Sequence, residues 1–263
     1  MKYLLYLFLL IFLFACEDTE TNSIPANIKI SNIMLNTNST ENITDAWVYI
    51  NDQLQGVYEL PAQFPVLNIG MHKLRVKAGI KDNGIASSRI PYPFYSSYTQ
   101  EQVEFIEHEE MEVFPEVDYI EDITILTLDE ELTLDRTSYS DTTLEAIEDY
   151  YGGYLDSSLI TFEISTNELE NLPQAGAPVY LELDYKCNTE FLVGVYINYM
   201  PTVVKKEALW INPKEDWNKI YVNLTSIISE GINAPSFSIF IGMKRDVSLE
   251  INEIYFKNFK VVY

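Results

Sequence analysis

Apolar and polar residues alternate with a period of two through most of the chain's second half, and that pattern demands β-sheet. Val179, Leu181, Leu183 and Tyr185 fall on one side of a strand, with Tyr180, Glu182, Asp184 and Lys186 on the other. Phe191, Val193, Val195, Ile197 and Tyr199 repeat the pattern, and so do Phe237, Ile239, Ile241 and Met243. A further run, Leu249, Ile251, Ile254 and Phe256, breaks phase at Asn252-Glu253, which predicts a bulge or turn there. Strands this numerous over roughly 110 residues predict a sandwich or jelly roll.

The earlier half reads the same way. Ala46, Val48 and Ile50 share one strand face, Asn51-Asp52 supplies turn chemistry, and Val57 to Leu60 returns as a partner strand. Later, His72, Leu74, Val76 and Ala78 line one face, and Asp82-Asn83-Gly84 marks a turn. Helical periodicity is nearly absent, so the expected fold class is all-β, with two β-sandwich domains. The expected boundaries are a leader at 1–15, a tether at 16–26, a first sandwich at 27–134 and a second at 144–263. The polar stretch DRTSYSDTT (135–143) is the expected linker between them.

The chain begins with Lys2 and the apolar run YLLYLFLLIFLFA from Tyr3 to Ala15. A membrane-crossing helix needs about 20 apolar residues, so this shorter run with a basic start and a small-residue end reads as a secretory signal. Leu13-Phe14-Ala15-Cys16 resembles the bacterial lipobox, which implies that Cys16 is acylated and anchors the chain to the outer membrane through its acyl chains. Glu17, Asp18 and Glu20 resemble the export signal of Bacteroidota surface lipoproteins, which implies display at the cell surface, with periplasm-facing attachment as the alternative. Once Cys16 is lipidated, Cys187 has no disulfide partner, and its strand-like context predicts a buried, inert thiol.

Forty acidic residues against 17 basic ones give a formal charge of −23. Nucleic acid is excluded as a partner, because its binding requires Lys and Arg to neutralise phosphates. Hydrophobic residues at 47% and aromatics at 13% exclude wholesale disorder. The two histidines, His72 and His108, offer little acid–base or metal chemistry. His72 lies in strand alternation and reads as a packed, hydrogen-bonded residue, whereas His108 sits among acids and reads as a solvated edge. The sequence has no His-Glu-x-x-His, Cys-x-x-Cys, Gly-x-Ser-x-Gly or phosphate-cradling loop. The expectation is a non-enzymatic chain with no catalytic residues and no cofactor.

The run DAWVYINDQLQGVYELPAQFPVLNIGMHKLRVKAG resembles PEGA-like and related immunoglobulin-like sandwich modules, which implies a structural or adhesive unit. Trp217, Ile220, Val222 and Leu224, with the closing IYFKNFKVV, resemble the galactose-binding-like jelly roll of many carbohydrate-binding modules. Lys257-Asn258-Phe259 departs from that family's acidic last-strand position, which removes the basis for carrying over ion or sugar contacts there. The resemblance implies a structural Ca²⁺ between loops, but no Asp-x-Asp-x-Asp-Gly spacing supports one.

Two aromatic clusters stand out from the strand pattern. Tyr92, Phe94, Tyr95 and Tyr98 crowd a loop braced by Pro91 and Pro93, and Tyr150, Tyr151 and Tyr154 surround Gly152-Gly153. Aromatics in such settings anchor protein interfaces or stack on sugars. The leading expectation is an accessory protein-binding subunit of an outer-membrane assembly for protein biogenesis or export, docking through these rings. The alternative is a glycan-binding surface lipoprotein, which predicts an exposed, roughly coplanar aromatic platform on the second sandwich.

Overall fold

The computed structural model describes residues 24–263 apart from Asn38 and Asp129. Cys16, Glu17, Asp18 and Glu20, with the rest of the expected leader, lie outside the described residues. The described chain is nearly all β, arranged as two sandwich-like units. The first contains β1 (Ala26–Ile30), β2 (Met34–Leu35), β3 (Asp45–Ile50), β4 (Gln53–Glu59), β5 (Ala62–Val66), β6 (Gly70–Lys81), β7 (Arg89–Pro91), β8 (Ser97–Phe105), β9 (Glu110–Val113) and β10 (Glu116–Val117). The second contains β11 (Ile125–Thr127), β12 (Leu134–Arg136), β13 (Glu145–Ile147), β14 (Tyr150–Leu155), β15 (Thr161–Thr166), β16 (Leu169–Glu170), β17 (Tyr180–Cys187), β18 (Phe191–Tyr199), β19 (Thr202–Ile211), β20 (Lys214–Asn223), β21 (Ser236–Lys244) and β22 (Asn252–Val262). A short helix, α1 (Thr225–Glu230), follows β20.

In the first unit β4-β3-β6-β7 form one sheet, with β8 also on β6, and β5-β1-β9 form the facing sheet. The β3–β4 hairpin turns on Asn51 and Asp52, whose φ values of 50° and 63° suit a tight turn that follows the strand twist. Leu74, Val76 and Ala78 of β6 are buried, as their alternation predicts, and His72 sits half-buried beside them. Asn51 Nδ2 donates to His72 Nδ1 at 2.8 Å, and His72 Nε2 lies 3.2 Å from the carbonyl of Ile69. His108 is exposed.

In the second unit β13-β14-β22-β17-β20 face β12-β15-β21-β18-β19 across an apolar core. Leu181, Leu183, Tyr185 and Cys187 of β17 point into that core, and burial raises the Cys187 thiol above its usual pKa. The irregularity expected at Asn252-Glu253 falls elsewhere. Asn252 opens β22, and the register shifts where Asn258 takes a φ of 51° opposite β17.

Strand pairing also moves the domain boundary. β11 pairs with β22, and Arg136 of β12 pairs with Ile164 of β15, so the second unit begins by Ile125 rather than at 144. The polar stretch 135–143 is therefore part of that unit. Asp141 accepts the backbone N–H groups of Ile160 and Thr161 at 2.9 Å each, and Thr137 Oγ1 donates to Glu163 at 2.8 Å. Its polar side chains finish a sheet edge instead of solvating a linker. Likewise Ala26, expected in the tether, is buried at the start of β1.

Candidate functional site

Alternation along β17 and β20 sends Tyr180, Glu182, Asp184, Lys219 and Tyr221 to the outer face of their sheet, where solvent would be the default. The first sandwich covers them instead. Tyr92, Phe94 and Tyr95 are buried there, and Tyr98 is half-buried in the first unit. Tyr92 meets Tyr180 and Tyr221 with ring centroids 5.3 and 4.8 Å apart, and Phe94 meets Tyr180 at 6.0 Å. The loop expected to present an exposed docking surface is thus consumed inside the chain. Pro91 ends β7, where it pairs with Gly79 of β6, and Pro93 sits between the buried Tyr92 and Phe94.

Polar pairing completes this seam. Glu182 accepts hydrogen bonds from Tyr92 Oη at 2.7 Å and from Tyr119 Oη at 2.9 Å, and Lys219 Nζ lies 2.9 Å from its Oε2. That last contact is electrostatic, without hydrogen-bond alignment. Thr40 donates to Asp184 at 2.8 Å, and Tyr180 donates to Asp82 at 2.9 Å. Burial, then the Glu182 charge, pushes the hydroxyls of Tyr92 and Tyr119 well above the usual tyrosine pKa. Burial pushes the Lys260 ammonium down, helped by Lys219 nearby.

The seam covers only part of the sheet's outer face. On the rest, the register sets Gly152, Tyr255 and Lys186 side by side on β14, β22 and β17. Tyr150 and Trp217 stand around them. The Tyr150 ring lies 5.7 Å from both Trp217 and Tyr255, inclined to them at 67° and 85°. Lys186 Nζ sits 5.7, 5.2 and 4.9 Å from the centroids of Tyr150, Trp217 and Tyr255. Lys257 Nζ lies 4.7 Å from the Trp217 ring and 3.1 Å from Asp149, and that contact holds the Asp149 carboxyl below its usual pKa. The rings are steeply inclined, so the cluster is a cup around an ammonium rather than the coplanar platform expected.

Gly152 makes room for this cup: a Cβ there would meet the Tyr255 ring at 3.0 Å. Of the three tyrosines singled out in the sequence, Tyr150 joins the cup. Tyr154 lies exposed on the same side and is hydrogen-bonded to Glu145. Tyr151 points the other way, packing on the core with its ring stacked on Phe256 at 6.0 Å. Trp217 and Tyr255 enter the sequence reading only through the jelly-roll resemblance and Lys186 only through strand alternation, none of them as a candidate site residue. Each alternates on the polar side of its strand, but only the register between strands far apart in sequence gathers them.

The opposite sheet's outer face carries a second polar group that is already satisfied. Buried Glu163 accepts from Tyr196 Oη at 2.5 Å and from Thr137, and pairs with Lys205. Among the described residues, no three His, Cys, Asp or Glu side chains converge as a metal centre.

No protein-family model matches the chain, and no curated protein does. Among solved structures, it is similar to a family 29 carbohydrate-binding module from Piromyces equi, with 14% identity over 54% of this chain and 91% of that one, at a TM-score of 0.36. It is also similar to a mutant of such a module complexed with mannohexaose, with 13% identity over 50% of this chain and 90% of that one, at a TM-score of 0.31.

Proposed function

We propose that the chain is a non-catalytic glycan-binding lipoprotein, held at the outer membrane by acylated Cys16 and exposed at the cell surface. One observation carries the binding reading. Tyr150, Trp217 and Tyr255 gather on the open part of a sheet face whose remainder is sealed by the first sandwich. Among the described residues, the side chains of Lys186 and Lys257 reach over these rings, and Trp217 keeps 37% of its surface exposed. Pyranose C–H faces stack on such rings, while Lys186, Lys257 and Asp149 stand where sugar hydroxyls need partners. The sequence motifs at Cys16 to Glu20 support the anchor and its surface display. The accessory-subunit reading loses its motive, because its aromatic–proline loop is spent within the chain.

Capture of fluorescent polysaccharides by whole cells tests the reading. Cells carrying the chain should retain glycan, and Trp217→Ala should lower affinity at least about tenfold, equivalent to about 1.4 kcal/mol. Cys16→Ala should abolish both fatty-acid labelling and surface capture. Undiminished capture by Trp217→Ala, or no capture of any glycan by the unaltered chain, overturns the proposal.

A further inference from the structure

The chain's positive charge is scarce, and where it goes unpaired is informative. Among the described residues, all lysines and arginines but three have an ion-pair, ring or hydrogen-bond partner. The three exceptions are Lys81, Lys214 and Lys244. Lys81 and Lys214 line a cleft of 460 Å³ between the turn at Asn83-Gly84 and the β19–β20 corner, and no aspartate or glutamate lines it. Lys244 lines an adjoining cleft of 450 Å³, which shares Trp210 and Pro213 with the first. Arg245 also lines the second cleft, and its buried Nε has no acceptor. Two acids reach that cleft, Glu190 and Asp246, and Asp246 Oδ1 already accepts from the Ser248 backbone and hydroxyl at 2.9 and 2.7 Å.

Trp210, 43% exposed, forms the wall common to both clefts. The clefts also connect to the aromatic cup. A shallower hollow of 260 Å³ contains Lys186 and Tyr255 of the cup, Lys214 of the first cleft and Asn188 of the second, with Glu215 and Glu253 as its two acids. One surface track therefore runs from Trp217 and Tyr255, past Lys214, to Trp210 and the remaining unpaired lysines.

We infer that this track binds an acidic polysaccharide, with aromatic rings stacking on its sugars and Lys81, Lys214 and Lys244 meeting its carboxylates or sulfates. The inference rests on the glycan-binding reading of the cup and adds the class and charge of the glycan. The net charge of −23 does not oppose it. Exposed charges beyond about 10 Å are largely screened at 0.1 M salt, so the local basic strip decides the contact. The acid-free cleft at Lys81 and Lys214 is where a polyanion meets least opposition, whereas Glu190, Asp246, Glu215 and Glu253 border the rest of the track.

Affinity electrophoresis of the soluble Cys16→Ala chain through gels containing a polyuronate, its carboxyl-reduced neutral form, or a sulfated polysaccharide with its desulfated form tests this. The acidic polymers should retard the chain at least about tenfold more strongly than their neutral counterparts. Retardation should weaken with added salt. Lys81→Gln, Lys214→Gln and Lys244→Gln together should erase the difference without changing thermal unfolding, since none of the three has a partner to lose. Equal retardation by charged and neutral polymers overturns this inference and leaves the glycan reading standing. No retardation by any polymer overturns both. Equal retardation by duplex DNA would reduce the track to a general polyanion surface and overturn it as well.

Discussion

Glu182 is fully buried in the seam and Lys219 nearly so, so their mutual attraction is not weakened by water. Taking two ions out of water costs several kcal/mol each, and an ion pair alone rarely repays that. Here Tyr92 and Tyr119 add hydrogen bonds to the carboxylate, which makes the buried charge tolerable. Lys219→Met strands that charge and should cost about 3–5 kcal/mol, read from urea midpoints of the full chain. Adding Glu182→Gln should recover most of the loss. A cost below about 1 kcal/mol for the single change would show that the pair does not hold the seam. The alternation in β17 reveals that Glu182 leaves the core of its own sandwich. It cannot reveal that Tyr92, 90 positions earlier in sequence, comes to meet it.

At the scale of elements, two neighbouring glycines in β14 do opposite jobs because strand residues alternate faces. Gly153 faces the core, where a Cβ would meet the Phe162 ring at 2.4 Å. Phe162 is fully buried and has nowhere to go, so Gly153→Ala should cost about 1–3 kcal/mol of stability. Gly152 faces the cup, where the nearest atoms are the end of the Ile147 side chain and the edge of the Tyr255 ring, each at 3.0 Å. Gly152→Ala should leave the unfolding midpoint nearly unchanged while tilting Tyr255 and weakening glycan capture. Thermal unfolding and capture measured on both variants separate the roles, and a reversed pattern would refute the face assignment. Strand type and core side were legible here because period-two alternation is a local signal. The domain boundary was not, because the polar residues of 135–143 look like a linker until Asp141 and Thr137 find their partners on β15. The cup was half legible, since Tyr150 stands out beside two glycines while Trp217 and Tyr255 join it only through register.

For the whole molecule, the two sandwiches share one polar–aromatic seam, and its tyrosines tie stability to pH. Burial first, then nearby Glu182 or tyrosine groups, holds the hydroxyls of Tyr92, Tyr95 and Tyr221 far above the ordinary tyrosine pKa of about 10. Below that value neither state has lost a proton, and the stabilisation is fully present. Above it the unfolded chain releases protons that the folded seam retains, so stability falls as pH rises. Each such tyrosine contributes a slope of about 1.4 kcal/mol per pH unit. Lys260 acts with the opposite sign. Its depressed pKa means the unfolded chain binds the extra proton, so stability rises with pH between that depressed value and about 10.4, and then levels off. One lysine cannot offset three tyrosines beyond that point. Denaturation midpoints should therefore hold up to about pH 10 and fall steeply above it, with the buried seam tyrosines' share of tyrosinate absorbance appearing only as the chain unfolds. Tyr95→Phe keeps the ring and removes one titrating hydroxyl, so it should make the alkaline slope shallower by about one tyrosine's share. An unchanged slope in that variant, or the seam tyrosines' share of tyrosinate absorbance developing before unfolding, would mean that the seam opens to water and the two sandwiches do not unfold as one.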